Sequence, residues 1–107
     1  MTTFDKREEG FEKKFALDEE QKFKAQARRN RLLGLWAAEQ LGKSGDDAHA
    51  YAKEVIAAEF EDARDAAVVK KVVGDLSSKG ITVSEQEIRV RMDELMLQAA
   101  AQVKAGL

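Results

Sequence analysis

The sequence predicts an all-α protein, a four-helix bundle with a flexible N-terminal segment. Three observations predict it. The chain has no proline, so no helix is interrupted by one. It is 44% hydrophobic and 36% charged, rich in Ala, Glu, Lys, Leu and Arg, the mix of helical proteins. Apolar residues recur at spacings of three and four in successive stretches, parted by short breaks, two of which carry glycine. A length of 107 residues holds one domain. The organisation expected is a mobile segment over residues 1–18 and a bundle over 19–107, with helices over about 19–41, 46–60, 64–79 and 85–105.

The first bundle helix opens at Asp18, a suitable N-cap, with Gln21 at the capping-box position. It runs to the break made by Gly42 and Gly45. The second starts at Ser44, with Asp46 and Asp47 in its first turn, where acids suit the helix dipole. Ala48, Tyr51, Ala52, Val55 and Ile56 then form one apolar stripe that ends near Phe60. The third carries Val68, Val69, Val72, Val73 and Leu76 and stops at SSKG, with Gly80 at the C′ position. The fourth opens on S-E-Q-E, a capping box from Ser84 to Glu87, and continues through Ile88, Met92, Leu95, Met96, Ala99 and Val103. Four amphipathic helices with short connections pack best as a bundle. The ITV run at 81–83 is too short for a sheet and is expected as an extended staple into the last helix.

Several function classes lack the residues they need. Cysteine is absent, so there is no disulfide, thiolate site or Cys nucleophile, and one histidine cannot build a cluster. No glycine-rich loop follows a strand and no carboxylates stand at metal spacing, so neither a catalytic set, a metal site nor a cofactor is expected. His49 is expected to be a partly exposed structural residue. Net charge is −2, which does not favour a general nucleic-acid binder. No apolar run has the length of a membrane span, and the N-terminus has no signal-peptide core. The chain reads as soluble and intracellular.

Residues 1–17 stand apart. Phe4, Phe11 and Phe15 are three of the five phenylalanines, and the residues around them are largely polar or charged. At about 100° per residue the three rings fall within about 40° of one another, one narrow stripe on a helix. Each buried Phe is worth about 1.5–3 kcal/mol, while each ordered residue costs about 1–2 kcal/mol of backbone entropy. Three rings do not offset the ordering of some fifteen residues, so the free segment is expected to be frayed. A partner groove could complete the helix, with anchors seven and four residues apart. The alternative is that the stripe packs on the protein's own bundle, as apolar stripes usually do.

A second uncommon stretch is FKAQARRNRLLGLWAAEQLG. Between residues 22 and 38 there is no acid, while Lys22, Lys24, Arg28, Arg29 and Arg31 supply five positive charges. A phosphate-contacting patch is one reading. The other is pairing with residues 46–65, where seven acids stand against two bases. On that second reading the first two helices face each other. Leu32, Leu33, Leu35 and Trp36 point to several sides, which places the first helix at the bundle centre, and Gly34 and Ala37 allow close approach there.

The strings TTFDKREEGFEKKFALDEE, FKAQARRNRLLGLWAAEQLG, GDDAHAYA and IRVRMDELMLQAA resemble, over the whole chain, the zeta subunit family, natural inhibitors of the F1FO-ATP synthase of alphaproteobacteria. The resemblance implies a small four-helix bundle with a mobile inhibitory N-terminal segment. It implies that the segment enters a catalytic α/β interface of F1, reaches the γ rotor and becomes helical there, blocking rotation in the hydrolysis direction. The partners so implied are the α, β and γ subunits, at the cytoplasmic side and peripheral to the inner membrane, with no membrane insertion, no nucleic acid and a monomer when free. Carried over by position, Phe4, Phe11 and Phe15 would be apolar anchors. Asp5, Lys6, Arg7, Lys13 and Lys14 would make the polar rim. Gly10 lies inside this helix and costs it about 1 kcal/mol relative to Ala. A basic, amphipathic helical module that binds a membrane surface or nucleic acid is the alternative function. Against it, the first fifteen residues balance four acids with four bases, whereas interfacial helices are strongly basic.

Overall fold

A computed structural model describes residues 15–61 and 65–107. Among these the architecture is all-α, with four helices and no strand. They are α1 (Glu19–Gln40), α2 (Gly45–Ala58), α3 (Asp65–Ser78) and α4 (Glu85–Lys104).

Local chemistry accounts for the helix ends. Asp18 caps α1 in a complete capping box: its Oδ1 accepts from the Gln21 amide at 2.8 Å, and Gln21 Oε1 accepts from the Asp18 amide at 3.1 Å. Ser84 Oγ accepts from the Glu87 amide at 3.0 Å and starts α4. Val83 and Ile88 flank that cap at the staple positions, and both join the main core. Ser44 is the N-cap of α2, but its side chain makes no capping bond. Both α1 and α3 close on a left-handed glycine. Gly42 and Gly80 each have φ near +78°. Their amides reach back to the Glu39 and Ser77 carbonyls, and the next residues, Lys43 and Ile81, reach Ala38 and Leu76 at 2.9 Å. That is the Schellman arrangement, and an L side chain at either glycine would be strained.

Helix α2 is shorter than the stripe ending near Phe60 suggests. After Ala58 the amides of Glu59, Phe60 and Glu61 bond three residues back, at 3.3, 3.1 and 3.2 Å. The α ladder tightens into turns. Phe60 is therefore not a core residue and is 72% exposed.

Helix α1 packs chiefly on α2 and α4, and α3 closes the bundle against all three. Two apolar clusters result. The main core joins Leu33 and Ala37 of α1, Tyr51 and Val55 of α2, Val68, Val72 and Leu76 of α3, and Ile88 and Met92 of α4. Half-buried Ile81 and Val83, from the extended run before α4, complete it. At the α1–α2 seam a Cβ placed on Gly34 would stand 2.7 Å from the Ala52 Cα and 3.2 Å from the Val55 Cβ. Only hydrogen fits there. Trp36 lies half-buried at the edge of this core, under the Arg91 guanidinium of α4, 4.8 Å from the ring centre. The second cluster is smaller and lies where the start of α1 meets the end of α4.

Candidate interaction site at the N-terminal junction

Of the residues expected to bind a partner, Phe4, Asp5, Lys6, Arg7, Phe11, Lys13 and Lys14 lie outside the described residues. Phe15 is described, and its surroundings are specific. It is half-buried and packs against the second cluster, made of Leu17, Ala25 of α1, and Met96 and Ala100 of α4, with Val103 beside it. Phe15 is helical, but Ala16 has φ +51°, the left-handed region. An alanine there costs about 1–2 kcal/mol. This one residue turns the chain, so that Phe15 and buried Leu17 both meet the α1–α4 cleft. Lys104 Nζ donates to the Ala16 carbonyl at 3.4 Å. The end of α4 is also tied to α1 by Arg28, which donates to the Leu107 carbonyl at 2.7 Å and to Gln102 Oε1 at 3.5 Å.

The basic stretch of α1 is largely engaged within the molecule. Lys22 and Lys24 each pair at 3.3 Å with Glu19 and Glu20 of their own helix. Arg28 turns to α4. Arg29 is only 5% exposed and carries the pairing to the acidic segment. Its Nη2 and Nη1 donate to Asp65 Oδ1 and Oδ2 at 2.7 and 3.2 Å. Its Nε and Nη2 donate to Asn30 Oδ1 at 3.1 and 3.0 Å, and Glu59 Oε1 lies 3.6 Å from Nη2. Among the described residues, the Arg29 guanidinium makes ion pairs between α1 and the acidic segment, at the joint between α2 and α3. At Gly34 the α1–α2 seam is too close for any side chain.

Glu59 is the unbalanced member of this cluster. Its Oε2 is buried and has no hydrogen-bond partner. Burial first, then the hydrogen bond and charge of Asp65, push its carboxyl up to about 7, although Arg29 and Asn30 pull the other way. Protonation of Glu59 relieves the repulsion between its carboxylate and that of Asp65. A second polar cluster joins α2 to α3. Tyr51 Oη donates to Asp75 Oδ2 at 2.8 Å, and Lys71 Nζ sits 3.1 Å from the same oxygen and 5.2 Å from the Tyr51 ring centre. Burial and the Asp75 carboxylate push the phenol pKa up. Burial lowers the Lys71 ammonium pKa, but Asp75 and Glu54 outweigh it and raise it.

His49 is exposed, and among the described residues no group of three or more His, Cys, Asp or Glu could hold a metal ion. No described helix is long and apolar enough to cross a membrane. Sequence reasoning did not single out Ala16, Leu17, Glu59 or Lys104. Only Glu59 left a signal, as one of the crowded acids before α3, and its partner is 30 positions away along the chain.

The sequence model of the family described as ATPase inhibitor subunit zeta matches residues 1–102. Among solved structures, the chain is similar to a protein whose structure was determined in solution by NMR. The two are 53% identical with a TM-score of 0.68, over 79% of this chain and 96% of the other. Among curated proteins no sequence matches.

Proposed function

The chain belongs to the ATPase inhibitor subunit zeta family, and from that premise we propose that it inhibits ATP hydrolysis by the F1 sector of ATP synthase, without catalysis of its own, through its N-terminal segment. The observation that carries this reading is the extent of the match: it begins at residue 1 and so includes the Phe-striped segment as well as the bundle. Residues 1 to about 18 enter a catalytic α/β interface and fold to a helix against γ. Phe4, Phe11 and Phe15 bury their rings, and Asp5, Lys6, Arg7, Lys13 and Lys14 set register at the polar rim. The bundle, too wide to follow, stops at the mouth of the interface. A wedge of this kind opposes rotation in one direction more than in the other. The inhibitor is a monomer when free and acts from the cytoplasmic side, held at the membrane only through F1.

Titration of the purified chain against cognate F1 tests this reading. Hydrolysis is expected to fall to a plateau at one inhibitor per F1, while synthesis by the membrane-bound enzyme persists. Equal loss of both directions would rule out a directional wedge.

A further inference from the structure

The N-terminal stripe and the bundle claim the same ring. Phe15 belongs to the stripe of Phe4 and Phe11 only if the helix is continuous through it, and the left-handed Ala16 prevents that helix from running on into α1. In the structure the ring instead lies in the cleft of Leu17, Ala25, Met96, Ala100 and Val103. We propose that this cleft is a holding seat for Phe15 in the unbound chain, which the ring must leave before the segment can occupy F1. This rests on the reading of residues 1–18 as the F1-binding segment.

Four features fit a seat built to be vacated. The ring is half-buried rather than enclosed. The Lys104 Nζ that reaches the Ala16 carbonyl across the turn does so at 3.4 Å, a long hydrogen bond. Ala16 returns to an ordinary conformation when the turn opens, so the strain favours release. Helix α1 is capped by Asp18 and Gln21, downstream of the turn, and the main core is a separate cluster, so the bundle stays intact when Phe15 departs. Stowing the ring in this way lowers the fraction of chains ready to bind and weakens the apparent affinity by that fraction.

Two full-length variants open the seat without touching the stripe. Ala16→Val places a β-branched residue at positive φ, and Val103→Ala removes one wall. The readouts are 15N relaxation of the amides of residues 15–17 in the free protein and the half-inhibitory concentration against cognate F1. In the wild type these amides are expected to be as ordered as those of α1. In both variants they loosen, and the half-inhibitory concentration falls by about threefold or more. Valine is a poorer helix former than alanine, so without a seat Ala16→Val would weaken inhibition, the opposite sign. Loosened amides with unchanged or weaker inhibition would overturn the seat, and so would amides already mobile in the wild type or unmoved by either variant. A Phe11→Ala arm keeps the two claims apart. If it inhibits as well as the wild type, the F1-binding segment is misassigned, while the relaxation data still report on the cleft.

Discussion

Arg29 of α1 grips Asp65 in the first turn of α3 with two parallel hydrogen bonds, 2.7 and 3.2 Å long. The guanidinium is buried, and Asn30 Oδ1 takes its remaining inward donors. Removing one partner leaves a buried charge uncompensated. Arg29→Ala is expected to cost roughly 3–5 kcal/mol of stability in chemical denaturation. A loss under about 1 kcal/mol would show that water reaches Asp65 freely.

The same cluster makes stability depend on pH. The Glu59 carboxyl is raised from 4.5 to about 7 in the folded chain. Between those values the folded state holds a proton that the unfolded state has released. Stability from this group is therefore fully present below about 4.5 and is lost as pH rises through about 7. Glu59→Gln keeps a neutral polar side chain of the same size beside Asp65 and cannot ionise. It is expected to match the wild type near pH 5 and to exceed it at pH 8 by on the order of 1–3 kcal/mol. Parallel stability curves for the two proteins across pH 5–8 would contradict this.

Two glycines should respond oppositely to the same change. A methyl on Gly34 meets the Ala52 backbone at 2.7 Å, and a methyl on Gly74 meets nothing within 4 Å. Gly34→Ala is expected to destabilise by about 1–3 kcal/mol through overpacking. Gly74→Ala, on the exposed face of α3, is expected to stabilise by up to about 1 kcal/mol. Thermal unfolding of both variants checks the pair.

Gly10 lies between Phe4 and Phe11 in the segment proposed to fold on F1. Gly10→Ala favours the helix by about 1 kcal/mol, so the half-inhibitory concentration should fall by up to about fivefold. A weaker inhibitor would mean that the bound segment needs a bend at this position.

What could be read from the sequence was what depends on near neighbours. The Asp18–Gln21 box, the Ser84 cap and the stops at Gly42 and Gly80 are relations within six residues, and the structure contains each. Gly34 in a run of Leu and Trp pointed to a close helix approach, and it lies against Ala52. The end of α2 could not be read this way. Its apolar spacing runs on to Phe60, but the last turns tighten at the joint where Glu59 and Asp65 meet Arg29, about 30 positions away. Phe15 is the same case. Its spacing fits a partner groove and a self-packed stripe equally, and the choice depends on Met96 and Ala100, more than 80 positions along. Nothing local marks Ala16 for positive φ, since alanine rarely adopts it.

The central claim is that the N-terminal segment inhibits and the bundle stops at the mouth. Deleting residues 1–14 leaves Phe15, Leu17 and both apolar clusters in place. The decisive measurement is ATP hydrolysis by cognate F1 titrated with the truncated and the intact chain, each first shown to be helical by circular dichroism. The truncated chain is expected to keep its helix content and to lose inhibition by at least about a hundredfold. A truncated chain that inhibits as well as the intact one would contradict that claim and move the inhibitory surface onto the bundle.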